Sequence, residues 1–393
     1  MTATLPRVRS IDAFRAVIMF LMIFVNDIED IPNTPLWMHH VADEVDGLGL
    51  ADIIFPAFLF IVGVSIPFAL QNRSAQSSNL PLHIIKRSAV LMFWGFLFTN
   101  LETYDEENTL IQRGTWQYLA IFSMFFIFLD YSWLKRAWIK YALQGLGLAL
   151  LVFLAAIYKS ADPESTWLHF TWWGILGLIG WAYLFSALIF HYSAGKLWIQ
   201  AAAWLFFVSF NILSKIGLTD FLDPFYPYVW IAGNGAMQAF AMAGVVVAVF
   251  YRNVLSNGKM RLFWFTVPSA GMLLAILGFA LRSSTGGMSK AFETPAWVLV
   301  CTSLCVWCYL LFVFIVDVNK KYNWVKPIEA AGIATLTCFM LPDIFYSWFE
   351  TTDFDYPELV KSGAGGVVRG VVFALLTVWA TVLLLKIRIR LKI

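Results

Sequence analysis

The chain of 393 residues is 60% hydrophobic and only 13% charged, with a net charge of +2 and a mean hydropathy of +0.73. Soluble domains carry roughly 25% charged residues, so a soluble globular protein is excluded, and 36 Phe with 18 Trp suit a surface wetted by lipid. No Walker, Rossmann or zinc-protease pattern occurs, and no nucleic-acid signature.

Apolar stretches of about 20 residues can cross the ~30 Å hydrocarbon layer as helices. They recur at 12–27, 51–70, 85–101, 115–130, 139–158, 171–190, 198–215, 233–251, 261–281, 295–316, 328–348 and 364–386. The chain therefore reads as all-α, a polytopic transmembrane helical bundle of about 10–12 spans with one open to a re-entrant reading. The longest connections hold only about twenty residues, so residues 1–393 form a single integral-membrane domain. The first stretch, Ala13 to Val25, has no small-residue cleavage site and runs into acidic sequence, which predicts a retained span and not a signal peptide.

Lys and Arg set the orientation. Most of the 27 basic residues collect on alternate connections, from Arg7, Arg9 and Arg15 through Lys86, Arg87 and Lys320 to Arg390 and Lys392. Both termini are thus expected in the cytoplasm, with the acidic segments 27–30, 43–52, 102–107 and 350–358 facing outward. Four cysteines give no disulfide framework. Cys301, Cys305 and Cys308 share a helix face without supporting His or carboxylates, so they read as small hydrophobes and no metal site is expected.

The connection from Asn26 to Asp52 holds the densest set of groups able to do chemistry: Asn26, Asp27, His39, His40, Asp43, Glu44 and Asp46. Histidine suits general-base work near neutral pH, a carboxylate beside it fixes its tautomer, and an amide can donate to an oxyanion. Residue types alone also allow a solvated loop with two incidental histidines. Asp52 opens the second span, where a carboxylate either faces the bundle interior with a partner or is simply the acidic first turn of a helix. At the other end of the first span, Asp12 and Arg15 stand three apart on one face. Arg9 and Arg15 either meet phosphates or only anchor the span. Further on come Gln117, Asn234, Ser289-Lys290 before Pro295-Ala296-Trp297, and an intramembrane Arg369 with Asp343 as its expected partner.

Taken in order, these segments resemble the heparan-α-glucosaminide N-acetyltransferase family of transmembrane acyltransferases. The match is strongest over residues 7–67, through Arg7-Val8-Arg9-Ser10-Ile11-Asp12-Ala13-Phe14-Arg15, Phe24-Val25-Asn26, Asp46-Gly47 and Ala51-Asp52-Ile53-Ile54-Phe55-Pro56. Weaker echoes fall at Gln117, Asp223-Pro224, Ser289-Lys290 and Ala331-Gly332. The resemblance implies transfer of an acetyl group from cytoplasmic acetyl-CoA to an amino sugar of the glucosamine type on the far side of the membrane. It makes His40, Asn26 and Asp46 the catalytic candidates, with His39 the alternative to His40. His39, Asp52, Gln117, Asn234 and Lys290 become candidates for the acceptor, and Arg9, Asp12 and Arg15 for acetyl-CoA. Direct transfer and an acetyl-histidine intermediate both remain open. A homodimer and a bacterial inner membrane are family-level expectations.

The chain departs from the family pattern at Ala16, where a Gly is usual. It departs again in the longer acidic loop His39-His40-Val41-Ala42-Asp43-Glu44-Val45-Asp46-Gly47, and at Tyr118, where Arg would stand. These changes mark a divergent bacterial branch. The competing class is a secondary transporter of a small polar or sugar-like solute, which about twelve spans also suit. Transporters often carry internal repeats, and residues 1–195 show no convincing similarity to 196–393.

Overall fold

The computed structural model of the chain describes residues 8–74, 79–163, 165–225, 228–229 and 234–393. Arg7, at the head of the opening motif, lies outside the described residues. In chain order the helices are α1 (Arg9–Ile28), α2 (Leu50–Ser74), α3 (Leu80–Thr99), α4 (Arg113–Phe128), α5 (Ala137–Ile157), α6 (Gly174–Tyr192) and α7 (Leu197–Lys215). They continue with α8 (Ala236–Ser256), α9 (Met260–Leu281), α10 (Pro295–Phe312), α11 (Glu329–Ile333), α12 (Thr335–Thr351) and α13 (Gly363–Lys386). Among the described residues there is no β-strand, only two isolated bridges, Tyr104 to Ser160 and Leu129 to Leu391.

Each predicted apolar stretch overlaps helix, with 328–348 divided between α11 and α12 and residue 233 lying outside the described residues. Among the described residues, nine helices are long and apolar enough to cross a bilayer, or up to 10 with the bent pair Asn323–Ile333 and Thr335–Thr351 taken as one span. The 79° bend of that pair falls at Ala334, where hydropathy runs on uninterrupted. Helix α1 carries Arg9, Asp12, Arg15 and Asp27 within its 20 residues, and α4 has only 16. The protein is an integral membrane protein, because no other solvent accommodates this much apolar helix surface.

Helices α1, α2, α8 and α10 make the centre. The apolar window of α2 is 72% buried, whereas that of α5 is only 17% buried. Exposed Trp138, Leu146 and Val152 on α5 and Phe265, Met272 and Ile276 on α9 face outward, as lipid-solvated helices require. Helices α2 and α8 cross closely. A Cβ on Gly63 would lie 1.9 Å from the Ala241 carbonyl oxygen, and one on Gly244 would lie 2.0 Å from that of Phe60. Small residues thus let the two backbones touch.

Asp317, in the π-helical turn Val313–Val318 that extends α10, caps α1 from outside. Its Oδ1 accepts from Ser10 N at 3.2 Å, satisfying one of the backbone donors that a helix start leaves open, and its Oδ2 accepts from Ser10 Oγ at 2.5 Å. At the far end of α1, Asp27 Oδ2 meets Arg369 Nε at 3.4 Å and Asp27 Oδ1 accepts from Tyr346 at 3.1 Å. The expected Arg369–Asp343 pair is therefore not formed, because α13 approaches α1 closely here. A Cβ on Gly370 would stand 2.6 Å from Ile28 Cγ2.

Candidate active site

The two ends of α1 separate two groups of polar residues. The end that leads into the 29–49 connection holds the histidines. That connection is pinned by α2 and by the 282–294 connection between α9 and α10.

His40 follows a short 3₁₀ turn, Leu36–Met38, and its side chain remains 33% exposed. Its Nδ1 lies 2.6 Å from Asp52 Oδ1. Asp52 stands in the first turn of α2 with its side chain 4% exposed, and its Oδ2 accepts from Val41 N at 3.1 Å and Gly49 N at 3.0 Å. Both carboxylate oxygens are thus committed to the 40–49 loop. The Asp52 backbone carbonyl accepts from the indole of fully buried Trp297 at 3.1 Å, and Phe240 packs edge-on against Trp297 with centroids 4.9 Å apart. A carboxylate on Nδ1 fixes the tautomer with the proton there, leaving Nε2 as the basic nitrogen.

Lys290 completes the row. Its Nζ lies 2.9 Å from His40 Nε2 and 3.3 Å from Nδ1, bridging 250 residues of chain. Burial draws the Lys290 ammonium below its ordinary value, against the attraction of Asp52 and Glu29. Glu29 also approaches His40 N at 3.4 Å.

His39 turns elsewhere. Its Nε2 hydrogen-bonds Thr34 Oγ1 and its Nδ1 lies 3.9 Å from Glu29 Oε2. It braces the loop, so of the two histidines His40 holds the carboxylate-oriented position. The brace depends on Gly49, where a Cβ would stand 1.8 Å from the His39 carbonyl oxygen.

Asp46 does not take the orienting role expected of a catalytic carboxylate; Asp52 does. Asp46 Oδ2 accepts from Arg282 Nε at 2.7 Å and its Oδ1 from Met288 N at 2.7 Å, while Gly47 N donates to the Met288 carbonyl at 3.2 Å. Arg282 and the Met288 amide hold the Asp46 carboxyl below its usual range. The contact needs Gly287 at φ +82, where a Cβ would crowd Asp46 Cγ at 2.9 Å. Asp46 therefore ties the two connections together and brings Lys290 to His40.

Asn26 stands on the last turn of α1 with an exposed side chain, and among the described residues no hydrogen bond joins it to His40. Asn234 Oδ1 accepts from Ala236 N at 2.9 Å at the start of α8, and its side chain hydrogen-bonds Glu293, an interaction that partly offsets the burial pushing the Glu293 carboxyl up to about 7. Gln117 lies on α4, which packs on α5 and α12. It is not part of the His40 group.

Arg9, Asp12 and Arg15 occupy the other end of α1. The Arg9 guanidinium lies over the Tyr322 ring at 5.5 Å. Arg15 pairs with Asp12 at 3.8 Å and donates to the Gly332 carbonyl at 3.1 Å and to Ser65 Oγ at 2.6 Å. It lines a cavity of about 370 Å³ whose other cations, Arg87, Arg390 and Lys392, were not singled out from sequence. The apolar wall of this cavity runs up α2 to Phe58, six residues and so about 9 Å of helix rise from Asp52. No group of three His, Cys, Asp or Glu that could hold a metal ion occurs among the described residues.

Residues at the site that the sequence did not single out include Glu29, Thr34, Arg282 and Glu293. Arg282, four residues before the Gly286-Gly287 turn, is the one with a readable signal, a cation that pairs with the acidic loop at Asp46.

Two comparisons bear on function. The human heparan-alpha-glucosaminide N-acetyltransferase is 34% identical over 103 residues, which are 25% of this chain and 15% of that relative. The chain thus spans a small part of the curated relative it matches, and the likeness supports transferase chemistry without fixing donor or acceptor. The family model described as "Domain of unknown function (DUF5009)" matches residues 7–234, which include Asn26, His40 and Asp52 and stop short of Lys290. Because that match covers more than half of the chain, the protein belongs to the DUF5009 family.

Proposed function

We propose that this protein is a transmembrane N-acetyltransferase that moves an acetyl group from acetyl-CoA to an amino sugar of the glucosamine type. The observation that carries the reading is the row Asp52–His40–Lys290, with 2.6 Å and 2.9 Å between successive partners, in a chain similar to an N-acetyltransferase.

The donor enters from the Arg15 end, a reading that the excess of Lys and Arg on that side supports as cytoplasmic. Arg15, Arg87, Arg390 and Lys392 meet its phosphates as charge-assisted donors, and the pantetheine arm follows the apolar wall along α2 toward His40. The acceptor comes to the opposite end. His40 Nε2 takes a proton from the acceptor amine as nitrogen attacks the thioester carbonyl, and Asp52 stabilises the imidazolium that forms. The C–S bond then breaks and His40 returns the proton to sulfur. Asn26 turns toward the oxyanion. An acetyl group passing first to Nε2 would use the same orientation of the ring.

The test is turnover of acetyl-CoA by detergent-purified protein with glucosamine and related amino sugars, wild type beside His40→Ala. Acceptor-dependent release of CoA that is lost in the variant supports the reading. Absence of acetyl-CoA binding to the wild type overturns it.

A further inference from the structure

The candidate site already contains an amine. With Asp52 on Nδ1, His40 has one nitrogen for catalysis, Nε2, and Lys290 Nζ lies 2.9 Å from it. A base removes a proton only from an atom within hydrogen-bond reach. Any acceptor amine must therefore come to the place that Nζ fills.

The backbone of Lys290 is held there firmly. Met288 N is bound to Asp46 at 2.7 Å, Glu293 N donates to the Lys290 carbonyl at 3.1 Å, and Thr294 N donates to the Ser289 carbonyl at 3.1 Å. Thr294 Oγ1 accepts from Ser289 N at 3.0 Å and from Trp297 N at 3.4 Å, fixing the turn to the start of α10. Only the flexible side chain can withdraw. The charged and titratable groups facing Nζ are His40 from the loop, Asp52 from α2 and Glu29 from the end of α1. Burial lowers the cost of losing the ammonium proton, and a neutral lysine beside a base is an activated nucleophile.

We propose that Lys290 is itself an acyl acceptor, modified at Nζ by the thioester donor when no acceptor amine is present. The proposal rests on the acyl-thioester reading above. The Nζ lone pair forms the N–C bond to the thioester carbonyl, the C–S bond breaks, and sulfur leaves as thiolate. The proton lost from nitrogen passes to His40 Nε2 and then to the thiolate, giving free thiol and Nε-acyl-lysine. No oxidant or reductant is involved. The product is an amide, which does not pass its acyl group on as a thioester or acyl-imidazole does. It fills the place of the acceptor amine and closes the site, so acceptor and self-acylation compete for one position.

The experiment incubates the purified full chain with acetyl-CoA alone, or with acetyl-CoA and glucosamine, and locates acetyl groups by peptide mass spectrometry. Acceptor turnover is followed in parallel. The expected result is one acetyl group on Lys290, with activity falling as occupancy rises and glucosamine protecting. His40→Ala, checked for an unchanged elution profile, should slow the labelling by about 100-fold, and Lys290→Arg should lose the label. A protein that turns over the acceptor yet leaves Lys290 unmodified when incubated with acetyl-CoA alone overturns the inference and leaves acyl transfer standing, as does labelling no faster than at exposed Lys326. Neither turnover nor labelling overturns the acyl-thioester reading with it.

Discussion

Asp52 and His40 are joined across twelve residues by a 2.6 Å contact, and the same carboxylate closes the loop between them through the amides of Val41 and Gly49. One side chain therefore both shapes the loop and selects the histidine tautomer. In the proposed reaction, a base so oriented costs nothing to align when the acceptor arrives.

Asp52→Asn should keep the fold and lose chemistry. An amide can still occupy the carboxylate's place, but it can donate to Nδ1 and shift the proton to Nε2, the wrong tautomer for a base. A fall in kcat of about 10²- to 10⁴-fold is expected, with KM for the donor little changed. Steady-state kinetics on the purified variant check it, and an unchanged kcat would remove His40 from the base role.

Asp46 and Arg282 should control the loops without touching chemistry. Arg282→Gln should leave the unfolding temperature unchanged while raising hydrogen exchange at Gly47, whose amide donates to the Met288 carbonyl beside the clamp. The Asp46 pKa is lowered in the folded protein. Its contribution is therefore complete above the ordinary carboxylate value and lost only as pH falls through the lowered one. Between about pH 5 and 8 the clamp should stay constant, and hydrogen exchange across that window should show no transition at this loop.

The helices were legible because lipid imposes a length and an apolar composition that no tertiary contact can override, so each of the twelve stretches became helix. The break at Ala334 was not, since hydropathy is indifferent to a turn of backbone direction. Residue types marked both histidines and both carboxylates without choosing among them; the family resemblance chose His40 and put Asp46 ahead of Asp52, since both carboxylates lie near His40 in sequence. Only the docking of the 282–294 connection engages the first with Arg282. The Lys290–His40 contact spans 250 residues, and no periodicity records such a meeting. Arg369 was readable as a paired intramembrane cation, whereas the choice of Asp27 over Asp343 depends on how closely α13 approaches α1.

Glu293 should make stability pH-dependent near neutrality. It is 8% exposed, has a left-handed φ of 47°, and burial pushes its carboxyl up to about 7 from 4.5. A raised acid pKa means that ionisation opposes folding. Stability should be highest below the ordinary value, decline as pH rises toward 7, and stay at the lower level above it. Glu293→Gln should flatten this slope and raise the unfolding temperature at pH about 8 relative to wild type. Thermal scans of both proteins from acid to alkaline pH decide it, and parallel curves would show that the carboxyl is solvated.

The cavity at the Arg15 end should govern donor affinity and little else. Arg15 also holds the Gly332 carbonyl at the α11–α12 break and Ser65 on α2, so its removal confounds binding with structure. Arg87 and Lys392 are better probes: they line the same cavity, and Lys392 has only a 3.5 Å contact to Asp130, with its side chain 54% exposed. A charge-assisted hydrogen bond contributes roughly 1.5–3 kcal/mol, so Arg87→Ala and Lys392→Ala should each raise KM for acetyl-CoA by about 10- to 100-fold while kcat holds. The donor lacking its adenosine phosphates should bind wild type and variants alike. A fall in kcat at unchanged KM would place the phosphates elsewhere and leave the cavity without a role in donor binding.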